Sequence, residues 1–142
     1  MSMKLLMFSG NSLRYKDWLY EAQKELGVLF ATTSVQDYAH LETVDKWIDM
    51  PGELSVLKVN SPSGDYGVFA KSIGTALTVQ AIEQAIIAPT FLLLPGITLH
   101  YILQDYSSFA EQVSQPYLPL VIVQHDEAPL GSRQAAMTHL EP

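Results

Sequence analysis

The sequence predicts an α/β fold: a three-layer sandwich in which helices cover both faces of a central, mainly parallel sheet of about five strands. Short, wholly apolar runs alternate along the chain with longer segments of helical period. Wholly apolar strands are typical of parallel sheets that are buried on both faces. Right-handed crossovers between successive strands then favour the sheet order 2-1-3-4-5.

The first strand is predicted at residues 4–9 and the second at 28–33. The helix between them opens after Ser12, which suits the N-cap position, and ends at Gly27. Its apolar stripe repeats every fourth residue, at Trp18, Ala22 and Leu26.

The segment that follows is less regular. Residues 36–49 are polar and aromatic and show no clear period, so they receive no assignment. Pro51 suits a first helical turn, which predicts a short helix over 53–59. Residues 61–64 (SPSG) are the plainest loop signal in the chain.

The second half of the chain supplies the other three strands. They are predicted at residues 66–71, 90–94 and 118–124. A helix over 73–87 follows the third strand almost without a connection. Two more helices are expected at 106–115 and 131–139.

A length of 142 residues predicts a single domain over 1–142. No internal repeat or linker divides the sequence. The charged share of 16% lies below the roughly 25% average and argues against disorder.

The charge balance narrows the choice of partners. Eight Lys and Arg residues against fifteen Asp and Glu residues give a net charge of -7, which is unfavourable for binding nucleic acid or an anionic membrane. The longest apolar stretch, residues 85–99, is interrupted by proline and glycine and is shorter than a membrane helix requires. We therefore expect a cytoplasmic protein, and the absence of cysteine agrees with a reducing compartment.

The strongest chemical signal is the segment 70–74 (AKSIG), between an apolar strand and a helix. This context predicts a sharp turn with Ser72 at its apex. Ala70 and Gly74 are small, as a close approach of strand and helix requires. The Ile73 amide would lie at the helix N-terminus, where it can stabilise an oxyanion. The alternative is an ordinary N-cap serine that only opens a helix.

In combination with three other segments, this pattern resembles the α/β-hydrolase superfamily. AKSIG is similar to the family's nucleophile elbow, with Ala70 in place of the usual first glycine. Residues 8–12 (FSGNS) stand where the family places its oxyanion loop, followed by a helix that contains Trp18. Residues 118–126 (LPLVIVQHD) resemble its late strand with a terminal aspartate.

The resemblance implies a minimal α/β-hydrolase-like fold and a serine hydrolase that cleaves small ester-like substrates through an acyl-enzyme on Ser72. Asn11 and Ile73 would supply the oxyanion amides. Asp126 would be the acid that orients a histidine base, and His139 is the one histidine that follows it. No cofactor or metal is expected, and a nucleotide cofactor in particular lacks its usual fingerprint in this sequence.

The base is the part of the family pattern that this sequence matches least. The family places a further strand between acid and histidine, and residues 127–138 show no obvious one. His40, His100 and His125 therefore remain as other candidates. The alternative function is a catalytically silent hydrolase-like protein that binds a small molecule or a protein partner. A sheet that ends at residue 124 would leave an open edge and favour a homo-oligomer.

Two weaker arrangements complete the candidates. Residues 37–45 contain an acidic cluster with one imidazole, formed by Asp37, His40, Glu42 and Asp45. Such a set of oxygen and nitrogen ligands could hold a divalent metal, but a solvated loop is favoured because charged residues are mostly exposed. Lys71 beside Ser72 suggests a Ser-Lys dyad, which is disfavoured because neighbours on a turn point in different directions.

Overall fold

The structure, a computed structural model, describes residues 3–42, 46–96 and 119–123. Five strands, three α-helices and one short 3-10 helix follow each other in this part of the chain. In order they are β1 (Lys4–Phe8), α1 (Leu13–Leu26), β2 (Thr32–Gln36), the 3-10 helix Ala39–Glu42, α2 (Met50–Asn60), β3 (Tyr66–Ala70), α3 (Ile73–Glu83), β4 (Phe91–Pro95) and β5 (Leu120–Val123).

The five strands form one sheet in the order β2-β1-β3-β4-β5, and every pair is parallel. The α/β class and the strand order predicted from the sequence are both confirmed. The register aligns Phe8 of β1 with Ala70 of β3 and with Gln36 of β2. The chain therefore leaves these three strands at the same edge of the sheet.

The pleat of β1 divides the core into two layers. Leu5 and Met7 pack with Leu19 of α1 on one face of the sheet. Leu6 and Phe8 face the other side, in the cluster that α2 and α3 complete. Alternate residues of one strand thus serve opposite layers, as expected for a sheet covered on both faces.

Helix α3 is buried around almost its whole circumference. Eight of its eleven residues are buried, from Ile73 to Val79 without a break and again at Ala81. Two of them are threonines, and both hydroxyls donate to main-chain carbonyls: Thr75 to Ser72 at 2.6 Å and Thr78 to Gly74 at 2.8 Å. These bonds satisfy the polar groups that burial would otherwise leave unpaired.

The predicted position of β2 was wrong. The sequence placed it at residues 28–33, whereas the strand spans Thr32–Gln36. Val28 and Leu29 are 83% and 67% exposed, in the turn that follows α1. Pairing with β1 sets the position of β2, and an edge strand with alternating exposure accepts polar residues. Apolar character alone therefore marked the wrong segment.

Two helix boundaries also differ from the prediction. Helix α2 begins at Met50, before the predicted start, because the Asp49 side chain caps it by accepting from the Gly52 amide at 3.2 Å. Helix α3 ends at Glu83 rather than at 87, because Ala85 adopts a left-handed conformation with φ 56°. The helices predicted at 106–115 and 131–139 lie outside the described residues.

Candidate functional site

The turn between β3 and α3 has the sharp geometry that the sequence predicts. Ser72 has φ 54° and ψ −122°, in a region that residues other than glycine rarely occupy. An ordinary N-cap residue is extended and accepts a hydrogen bond from the first turn through its side chain. The Ser72 side chain makes no such bond. The start of a helix does not by itself account for this backbone.

Ser12 and Ala85 provide two comparisons. Ser12 precedes α1 with an ordinary extended backbone, φ −110° and ψ 156°. Ala85, the other described residue besides glycine with positive φ, follows the end of α3, where a left-handed residue commonly terminates a helix. Ser72 stands at the opposite end of the same helix. Its strain, of about 1–3 kcal/mol, has no such explanation.

Main-chain hydrogen bonds hold the strained turn on both sides. The Lys71 amide donates to the Phe8 carbonyl of β1 at 3.1 Å. The Ser72 amide donates to the Gly96 carbonyl after β4 at 2.6 Å. Both the amide and the hydroxyl of Thr75 donate to the Ser72 carbonyl, at 2.9 and 2.6 Å. The turn is therefore fixed to its two neighbouring strands and to its own helix.

Small residues flank Ser72 because β1 passes very close to the start of α3. A Cβ atom on Gly74 would lie 2.8 Å from both the Phe8 Cβ and the Ser9 carbonyl oxygen. Ala70 is fully buried at the end of β3, directly opposite Phe8. The sequence interpretation of these two positions as steric requirements agrees with these contacts.

The two candidate oxyanion residues lie at one edge of the sheet. Asn11 and Ile73 each follow a strand, and the last residues of those strands, Phe8 and Ala70, are paired. Ile73 is the first residue of α3, where amides have no intrahelical acceptor. Gly74 and Thr75 donate to the turn itself, and the Ile73 amide is not among these donors.

Two hydrogen bonds hold Asn11, and its main-chain N–H takes part in neither of them. Its side-chain oxygen accepts from the Ile48 amide at 2.9 Å. Its carbonyl oxygen is 2.7 Å from Nε2 of His40. Because a carbonyl only accepts, His40 carries its proton on Nε2 and donates it to Asn11.

His40 belongs to this scaffold. The residue is 8% exposed, its ring stacks on Tyr38 with centroids 5.8 Å apart, and its Nδ1 has no hydrogen-bond partner among the described residues. The sequence analysis left His40 open as a base or a metal ligand. With Nε2 engaged by Asn11, its observed contacts are those of a residue that positions the loop after β1.

Tyr38 also holds the loop after β1. Its hydroxyl donates to the Ser9 carbonyl at 2.8 Å in a fully buried position. Burial raises its pKa well above 10, and the nearby Glu53 carboxylate adds to that shift. Glu53 is itself buried, and its main-chain carbonyl accepts a hydrogen bond from Gln36 Nε2 at 3.0 Å.

Sequence reasoning missed this buried polar group, formed by Gln36, Tyr38, His40 and Glu53. Three of its members lie at the end of β2 or just beyond it, in a segment without helical or strand period. The fourth, Glu53, lies in the first turn of α2, where Glu is common because it interacts favourably with the helix dipole. Only their long-range contacts reveal their burial, and no local signal in the sequence indicates those contacts.

The acidic segment does not assemble into a metal site in the described part of the chain. There, no three His, Asp or Glu side chains lie close enough together to hold an ion. Asp37 instead accepts from the Tyr20 hydroxyl at 2.8 Å and pairs with Lys16 at 3.5 Å. Asp45 lies outside the described residues.

The acid and base of the predicted triad, Asp126 and His139, both lie outside the described residues, as do His100 and His125. The described site is therefore Ser72, the candidate oxyanion residues and the scaffold that holds them.

Comparison with protein-family models, with curated proteins and with solved structures finds no match for this chain. Within residues 3–42, 46–96 and 119–123, none of the helices has the length and apolar character needed to cross a membrane.

We predict that Gly74→Ala lowers the free energy of unfolding by about 1–3 kcal/mol, because the added methyl overlaps β1 backbone and the Phe8 Cβ. Gly27→Ala is the matched control, since its methyl would meet only two backbone oxygens, at 3.1 and 3.7 Å, at the end of α1. Urea denaturation measures both. Equal effects at the two positions would contradict the steric argument.

The raised pKa of Tyr38 predicts a pH dependence of stability. The unfolded tyrosine ionises near pH 10 while the folded one stays neutral, so its contribution is complete below about pH 10 and is lost as pH rises further. Tyr38→Phe is expected to cost about 1 kcal/mol near pH 8, through the lost bond to Ser9. The difference in the free energy of unfolding between Tyr38→Phe and the wild type should become smaller near pH 11, because only the wild type loses the contribution of Tyr38. A difference that stays constant in urea denaturation at both pH values would refute this account.

Proposed function

We propose that this protein is a serine hydrolase of the α/β-hydrolase type, which cleaves a small ester-like substrate in the cytoplasm through an acyl-enzyme on Ser72. The observation that carries the proposal is the backbone of Ser72, strained to φ 54° at a strand-to-helix turn. Strained backbone tends to persist at sites where a side chain must be held for function. A sharp turn of this kind presents a serine hydroxyl above the carboxyl end of the sheet.

In the proposed reaction the Ser72 oxygen attacks the ester carbonyl, while a histidine takes the hydroxyl proton. The tetrahedral oxyanion is stabilised by the amides of Ile73 and Asn11. The imidazolium then gives its proton to the departing alcohol, and water hydrolyses the acyl-enzyme by the same steps. His139 is the proposed base, oriented by Asp126. Three features support the placement of the two oxyanion amides: the helix N-terminus at Ile73, the anchored loop at Asn11, and the pairing of β1 with β3.

The direct test is labelling by a fluorophosphonate probe together with hydrolysis of 4-nitrophenyl esters. We expect the wild type to be labelled and to turn over ester, and Ser72→Ala to lose both. Ser55→Ala is the matched control, because Ser55 is an exposed serine of α2 that belongs neither to the turn nor to the loop after β1. It should retain both activities.

If neither labelling nor turnover occurs in the wild type, the proposal is wrong. The catalytically silent alternative then takes its place: a protein that binds a small molecule or a protein partner through the same edge of the sheet.

The assignment of the base has its own test. A general base contributes about 10² to 10⁴ in rate. His139→Ala and Asp126→Asn should lower the ester turnover by that order, while His100→Ala and His125→Ala leave it within a few-fold of the wild type. Unchanged turnover in His139→Ala would discard this base and leave Ser72 as the nucleophile.

A further inference from the structure

Lys71, the residue before Ser72, is held on aromatic rings of α1. Its ammonium nitrogen lies 4.4 Å from the centroid of the Trp18 ring and 5.2 Å from that of the Tyr15 ring. Trp18 in turn stacks on Phe69 of β3, with centroids 6.0 Å apart. The charge of Lys71 is therefore positioned by cation–π attraction to these two rings.

The same tyrosine ring carries a second cation and contacts the candidate oxyanion loop. The guanidinium carbon of Arg14 lies 5.1 Å from the Tyr15 centroid, and Arg14 Nη2 donates to the Tyr15 hydroxyl at 3.2 Å. A Cβ atom on Gly10 would lie 2.5 Å from the ring, so Tyr15 lies directly against the loop that precedes Asn11. The two cations thus share one ring, and one of them belongs to the residue that precedes Ser72.

Neither cation is neutralised by a described carboxylate. Among residues 3–42, 46–96 and 119–123, the ion pairs are Lys16 with Asp37 and Lys24 with Glu21. Lys71 and Arg14 make none, although the protein as a whole carries a net charge of -7. Two like charges near one ring repel each other, and an anion close to both would be attracted to each of them.

We infer that the site takes esters that carry a negatively charged group, and that Lys71 is the residue that selects this charge, with Arg14 adding to the attraction. This inference rests on the proposed hydrolase function. Lys71 is a specificity residue here and takes no part in proton transfer. Its neighbour Ser72 performs the chemistry, and the aromatic rings keep the ammonium at a fixed place relative to the turn.

The experiment compares two matched pairs of substrates. The mono-4-nitrophenyl ester of adipic acid and 4-nitrophenyl hexanoate differ by an anionic group on the acyl side. 4-Acetoxybenzoate and its methyl ester differ by one on the leaving group. In the wild type at low salt, kcat/KM should favour the charged member of at least one pair, and Lys71→Met should reduce that preference by about fivefold or more. Added salt should reduce it in the wild type, because the attraction is partly screened.

The controls separate loss of charge from loss of fold. Lys71→Arg keeps the charge and should keep the preference, and Lys24→Met removes an exposed lysine on the same helix as Tyr15 and should leave it unchanged. Two results would overturn the inference about Lys71 and leave the hydrolase function standing. One is a preference for the charged ester that survives in Lys71→Met, and the other is Ser72-dependent turnover with no preference for the charged ester in either pair. Absence of turnover for all four esters, with no Ser72-dependent labelling, overturns the hydrolase function on which it rests.

Discussion

The close approach of β1 to the start of α3 is the constraint on which the rest of the site depends. Phe8 and Ser9 leave no room for a side chain at position 74, so the helix can begin directly against the strand. The chain must then turn from strand to helix within two residues, Lys71 and Ser72, and Ser72 takes the unusual conformation. Its unfavourable conformation persists because neighbouring strands hold the turn through the amides of Lys71 and Ser72.

A second set of contacts fixes the loop that faces this turn. Tyr38 binds the Ser9 carbonyl and His40 binds the Asn11 carbonyl, so the segment after β2 anchors the segment after β1. Both partners are buried. Buried hydrogen bonds of this kind are costly to break, because the carbonyl would lose its donor without gaining water. The loop and the turn are consequently held by different sets of hydrogen bonds and lie at the same edge of the sheet.

The sequence sufficed for the parts of the fold that depend on local pattern. Apolar runs located β1, β3 and β4, and strand-helix alternation predicted the sheet order. It failed at β2, because the pairing partner of an edge strand, rather than its own apolarity, decides which residues enter the sheet. Ser72 was found because small neighbours between an apolar strand and a helix are a local signal. The burial of His40 and Glu53 depends on residues far away in the chain, which no local pattern encodes.

The all-round burial of α3 limits how this protein can be engineered. A helix of ordinary amphipathic character offers an outer stripe where substitutions made for solubility, labelling or charge meet only solvent. Between Ile73 and Val79 this one offers none, and even its hydroxyl groups are committed to the main chain. Variant libraries and attached dyes belong on α1 and α2, whose outward positions Leu13 and Val59 are 56% and 82% exposed.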